Sequence, residues 1–229
     1  MIKGVMFDFS GTLFRIEPVP DWFDSLGLDL PPAEREATVD RLTTAGALPG
    51  GPPPLQAPAG WGDRDLSAAQ HRAAYTAQTR SALAPAVPAE RVEALTTALY
   101  ERHLTPDAWR PYPDAEPVLK QLRQRGVPVA VVSNIGWDLR PVFVRHGLDE
   151  YVDAYLLSFE LGAQKPDPQI FRAACERLAV APAEALMVGD DVPADGGATA
   201  LGCAFHPVPA LPVEQRPDAL LPVLGLLGL

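Results

Sequence analysis

Five short apolar runs, each stopping at a polar or glycine-bearing loop, constrain this chain more than any other feature. They cover residues 2–9, 127–133, 154–159, 185–189 and 203–208. Runs of this length with little polar alternation suit strands buried on both faces. Between them, residues 115–125, 138–146 and 168–178 carry apolar side chains at helical spacing and close near glycine or polar residues. Strand alternating with helix predicts an α/β fold with a Rossmann-like parallel sheet core and helices on both faces.

Residues 15–108 break that rhythm. Candidate helices at 32–45, 65–83 and 88–103 predict a smaller α-helical cap domain, inserted into a core made of residues 1–14 and 109–229. Within the insert, residues 48–62 hold five prolines and four glycines, which cannot continue a helix and predict a loop.

With 229 residues, 47% of them hydrophobic and 21% charged, the chain can bury a sizeable core. A formal net charge of -10 argues against a nucleic-acid partner, because such binding draws on clustered Lys and Arg. No apolar stretch is long enough to span a bilayer, and the first strand follows the N-terminus with no cleavage signature. A cytoplasmic protein, monomer or homodimer, is the expectation. Cys175 and Cys203 have no metal-ligand spacing and read as buried free thiols.

In a parallel sheet, ligands bind beyond the carboxyl ends of the strands. Four predicted strand ends carry polar groups. Asp8 leaves the first, with Ser10, Gly11 and Thr12 in the turn behind it and Arg15 a little further on. Ser133 and Asn134 follow the second. Lys165 precedes the helix beginning at Pro168, and it is one of only three lysines, with Lys3 and Lys120. Asp190, Asp191 and Asp195 crowd one loop. Converging carboxylates repel one another, so a hard divalent cation with oxygen ligands is the natural compensation, and magnesium is the ion expected.

These four segments, in this order, resemble the four motifs of the haloacid dehalogenase superfamily, whose commonest members are phosphatases, with the helical cap inserted between the first and second. The resemblance spans residues 5–195 and implies roles. Asp8 is similar to the nucleophile that forms an aspartyl-phosphate. Ser133 resembles the residue that hydrogen-bonds the phosphoryl oxygens, with Asn134 beside it as a substrate-side or loop-fixing neighbour; Gly11 and Thr12 join the substrate-binding set. Lys165 resembles the lysine that holds nucleophile and phosphoryl group together. Asp8, the main-chain carbonyl of Ser10, Asp190 and Asp191 are the implied metal set, and Asp191 and Asp195 are candidates for its outer shell or for orienting Lys165. The implied substrate is a small phosphorylated metabolite. Arg15 is a candidate for a substrate anion, its planar fork suiting phosphate or carboxylate.

At one position the sequence departs from that pattern. The phosphatases carry a second Asp two residues after the nucleophile, to protonate the leaving oxygen and later activate water; here the residue is Ser10. A hydroxyl is too weak an acid for either task, and losing a positioned acid-base group typically removes about 10²- to 10⁴-fold in rate. Either the cap supplies the acid, with Glu17, Asp21, Asp24, His71 and His103 as candidates, or the leaving group needs little protonation, or the fold survives as a phosphate-binding protein with little turnover. Dehalogenation is a further alternative, less favoured because the fourth motif is so acidic. The phosphonate-cleaving branch uses a cap lysine, and residues 15–108 contain none.

Overall fold

The computed structural model describes residues 1–26, 30–44 and 57–228. Seven strands occur among them: β1 Gly4–Phe7, β2 Phe14–Ile16, β3 Trp109–Pro111, β4 Val129–Ser133, β5 Ala154–Leu157, β6 Ala185–Gly189 and β7 Ala204–Pro207. Five form one parallel sheet in the order β5-β4-β1-β6-β7. All five correspond to the apolar runs expected from the sequence.

Side-chain alternation along these strands feeds two separate apolar layers. Val5, Phe7, Val129, Val131, Leu186 and Val188 face one side, where they meet Val118, Leu119 and Leu122 of α5 (Ala115–Gln124) and Val142 and Phe143 of α6 (Arg140–Arg145). Met6, Ala130, Val132 and Met187 face the other, against Ile170, Phe171, Ala174 and Leu178 of α8 (Pro168–Leu178). The strands can read as unbroken apolar runs because both faces are covered. Cys175 and Cys203 lie buried as free thiols in the second layer.

The segment between β2 and β3 is helical among its described residues: α1 Val19–Leu26, α2 Pro32–Thr44, α3 Ala68–Leu83 and α4 Ala89–His103. The expected helix at 65–83 starts later, because Ser67 accepts from the backbone N–H of Gln70 and caps α3, while Trp61–Leu66 forms a separate 3-10 turn. Residues 45–56, and with them most of the expected proline-rich loop, lie outside the described residues.

Two features at the ends of this segment were not expected from the sequence. One is α1. The other is the antiparallel pairing of β2 with β3, which brings Arg15 opposite Arg110 and binds the two chain crossings to the helical insert side by side. Strands of three residues carry too little periodicity to be recognised in a sequence.

Candidate functional site

β1, the central strand, delivers Asp8 to the carboxyl end of the sheet, where its N–H bonds the Val188 carbonyl at 2.9 Å. The chain then turns through Gly11, at φ 89, a conformation open to glycine. A Cβ there would also stand 2.3 Å from a carboxylate oxygen of Asp190, so that carboxylate approaches the turn only because the side chain is missing. Thr12 is fully buried and donates its hydroxyl to the same group at 3.2 Å. Gly11 and Thr12 therefore shape the loop and seat Asp190, which differs from the substrate contact expected of them.

Lys165 sits at the centre of the acidic groups. Its Nζ donates to Asp8 at 2.7 Å and to Asp195 at 2.6 Å, with both lysine and nucleophile candidate buried. Burial opposes the ammonium, yet Asp195 and Asp8 hold it above its ordinary value. Burial raises Asp8 to about 6, against the pull of Lys165, and raises Asp195 to about 6 in the same way. Asp190 is raised as well, by burial first and then by Asp195. Near neutral pH the carboxylates flanking Lys165 are ionised and the lysine is charged.

Asp8, Asp190 and Asp195 can each offer an oxygen within 4.8 Å of the others. Asp191, expected in the metal set, is not in that group. Its carboxylate accepts from Ala194 N at 3.1 Å and starts the short helix α9 (Val192–Asp195), while its N–H donates to Asp195 at 3.0 Å. Asp195 is thus engaged on one oxygen by Lys165 and on the other by Asp191 N, which fits an orienting group for the lysine. Asn134 is loop-fixing: its amide donates to the Lys165 carbonyl at 2.8 Å and accepts from the Lys165 N–H at 2.7 Å.

These side chains line a cavity of about 200 Å³. Its floor is the strand ends: Asp8, Ser10, Ser133, Asn134, Lys165, Asp190 and Asp191. The helical insert supplies Arg64, Asp65, His71, Tyr75 and His103, and Trp109 and Trp137 close the side. The Ser10 hydroxyl is buried and has no hydrogen-bond partner among the described residues. Arg15 does not reach this cavity; it lies in β2 and lines a separate pocket with Pro18, Pro20 and Pro212. Of the acid candidates in the insert, Glu17 pairs with Arg102 at 2.6 Å, Asp21 with Arg110 at 2.6 Å and Asp24 with Arg35 at 2.7 Å, all away from the cavity lining. His71 and His103 do line it. Burial lowers His71 to about 3 and drops His103 well below the usual histidine range, so both are neutral.

A sequence profile of the haloacid dehalogenase-like hydrolases matches residues 2–200. The chain belongs to this family. Haloacid dehalogenase-like hydrolase domain-containing protein 3 of Mus musculus is 40% identical over 115 residues, which are 50% of this chain and 46% of that protein. Phosphoserine phosphatase of Thermus thermophilus is 33% identical over 78% of this chain and 63% of its own length. The chain spans about half the length of several curated relatives it matches. Among solved structures, L-2-haloacid dehalogenase of Xanthobacter autotrophicus superposes with a TM-score of 0.59 and 27% identity, covering 97% of this chain and 83% of that one. The haloacid dehalogenase-like family thus includes relatives of both chemistries.

Arg64, Asp65 and Arg216 are among the contributors to the site that the sequence did not reveal. Arg64 and Asp65 were hidden because residue 65 read as the start of a helix. Arg216 is 2% exposed and donates to the carbonyls of Gly11, at 2.7 Å, and Thr12, with its guanidinium 3.1 Å over the Tyr112 ring. No local pattern marks an arginine that far from the loop it holds.

Proposed function

We propose that this protein is a magnesium-dependent phosphohydrolase acting on a small phosphorylated metabolite through an aspartyl-phosphate on Asp8. The observation that carries the reading is the buried Asp8–Lys165–Asp195 ion cluster, with Asp190 beside it, at the floor of one small cavity. In a haloacid dehalogenase the metal is dispensable; here a second carboxylate, Asp190, approaches the nucleophile, and burial holds it above its ordinary range despite Lys165 and the Thr12 hydroxyl.

The donor set suits a hard cation: the oxygens are carboxylate, they converge, and Asp195 is already engaged elsewhere. Asp8, Asp190 and the main-chain carbonyl of Ser10 would hold it. When bound, magnesium supplies positive charge against the phosphoryl oxygens. The protein's own groups do the rest. Asp8 attacks phosphorus, Lys165 holds the nucleophile and offsets charge on the transferring group, Ser133 donates to a phosphoryl oxygen, and Asp195 keeps the lysine aimed. The helical insert serves as a cap that closes the cavity against bulk water. A space of about 200 Å³ suits a small monoester.

Phosphate release from a panel of phosphomonoesters, with magnesium and with chelator, tests this. Turnover should require the metal, and Asp8→Asn should abolish it while the thermal unfolding curve keeps its shape. Retained turnover in Asp8→Asn sinks the mechanism. Dehalogenation is the second reading, favoured by the likeness to L-2-haloacid dehalogenase; halide release from 2-haloacids in chelator, with silence on every phosphate ester, would establish it instead.

A further inference from the structure

At the strand ends position 10 is a serine and Lys165 is held by Asp8 and Asp195, while the two histidines that the insert brings to the cavity are neutral. One carboxyl group on the insert faces that same cavity. Asp65 is 4% exposed and sits in the 3-10 turn Trp61–Leu66. Ser158, at the start of α7 (Ser158–Leu161) in the core, donates its hydroxyl to the Asp65 carbonyl at 2.6 Å and fixes that backbone against the strand ends.

We propose that Asp65 is the acid-base group of this site, taking from the cap side the task that the core leaves undone at Ser10. The inference rests on the phosphohydrolase reading above. In the first half-reaction an Asp8 oxygen bonds phosphorus as the ester P–O bond breaks. The electron pair departs with the ester oxygen, which takes the Asp65 proton and leaves as the alcohol. In the second half, the Asp65 carboxylate takes a proton from water and the water oxygen bonds phosphorus. The bond between phosphorus and Asp8 breaks, releasing inorganic phosphate, a free Asp8 carboxylate and a protonated Asp65.

The groups facing Asp65 suit both halves. Arg64 lies 3.3 Å from one carboxylate oxygen, and His71 Nε2 is 3.9 Å from the other, the imidazole being tied through Nδ1 to Tyr100 at 3.0 Å. Tyr75 from α3 and Lys165 from the core complete the charged and titratable surroundings. Burial outweighs Arg64 and Lys165 and raises the carboxyl to about 6, a strength matched to proton transfer near neutral pH. Asp65 can therefore both hold a proton and release it, which the buried imidazoles beside it cannot.

Leaving-group dependence separates this role from a structural one. Asp65→Asn should lower kcat/KM for alkyl phosphates by about 10²- to 10⁴-fold. For aryl phosphates with acidic leaving groups the same variant should lose less than about tenfold, because little protonation is needed there, and phosphoenzyme should accumulate on acid quench. Equal losses on the two ester classes, or no loss, overturn the proposal. Should Asp65→Asn fail to fold, Asp65→Glu carries the test: a displaced acid changes the alkyl-to-aryl ratio of kcat/KM more than about tenfold, and an unchanged ratio overturns the proposal. Turnover by the unaltered protein with either of these negative results removes Asp65 alone. Silence of the unaltered protein on all phosphate esters removes the phosphohydrolase reading and this role together.

Discussion

Helices α8 and α3 each bury a stripe of residues at three- and four-residue spacing, and the stripes differ in kind. α8 buries Ile170, Phe171, Ala174, Cys175 and Leu178 against the sheet. α3 buries His71, Tyr75, Gln78 and Thr79 along with Ala74, Ala82 and Leu83. Polar groups on a buried face cost desolvation unless they are partnered, and a helix with only a packing task would not carry so many. The stripe of α3 is polar where it reaches the cavity: His71 and Tyr75 line it, each hydrogen-bonded to another insert side chain. Here the helix that covers the sheet is written in apolar residues, and the helix that roofs the cavity carries polar ones at the same spacing.

That contrast should break first under core truncation. Phe171→Ala on α8 is expected to cost about 3 to 5 kcal/mol in urea unfolding, with turnover per folded molecule unchanged. A large loss of turnover at full folding would mean that the sheet side and the cavity side are not separable.

The second expectation concerns pH. Asp65 stands at about 6 in the folded protein against its ordinary 3.8, so the folded chain keeps this proton after the unfolded chain has lost it. The resulting stability is fully present below about pH 4 and is lost as pH rises through 6. In chelator, the stability of the unaltered protein relative to Asp65→Asn should fall by on the order of 2 to 3 kcal/mol between pH 4 and pH 7. A difference that stays constant with pH would show that the roof carboxylate holds no extra proton.

Gly136 sharpens the comparison at the seam between roof and floor. A Cβ on this residue would stand 2.2 Å from the His71 Cβ, so α3 rests directly on the loop after β4. Gly136→Ala should cost about 1 to 3 kcal/mol by thermal unfolding and lower kcat/KM as well, since it displaces the roof over Asp8. The smallest effect is expected for Tyr75→Phe, which removes a hydroxyl bonded to Arg64. It should cost about 0.5 to 1.5 kcal/mol, with a change in KM larger than that in kcat. An unchanged KM would place Arg64 outside the binding surface.

The same contrast explains what the sequence could reveal. The sheet strands were legible because burial on both faces leaves an apolar run with a sharp end, and Asp8, Ser133, Lys165 and Asp190 stand at or near those ends. Asn134 and Asp191 were found as positions, but the partners that define their work, the Lys165 backbone and the N-terminus of α9, depend on how loops close. Thr12 and Arg15 follow Asp8 closely in sequence yet do not line the cavity, because the turn at Gly11 sends Thr12 to Asp190 and β2 carries Arg15 to a separate pocket. Asp65 was illegible for the opposite reason. It reaches the site through the packing of a 3-10 turn on Ser158, a contact across 93 positions that no local spacing encodes.

Arg216 adds a consequence in time. The guanidinium that holds the Gly11 and Thr12 carbonyls lies 205 positions after Gly11. At ordinary rates of synthesis a ribosome needs on the order of 10 to 40 s to cover that distance. The turn beside Asp8 is therefore made well before the arginine that clamps it. All five strands of the parallel sheet precede Arg216 in the sequence, so a nascent chain can pair them while the turn beside Asp8 is still without its clamp.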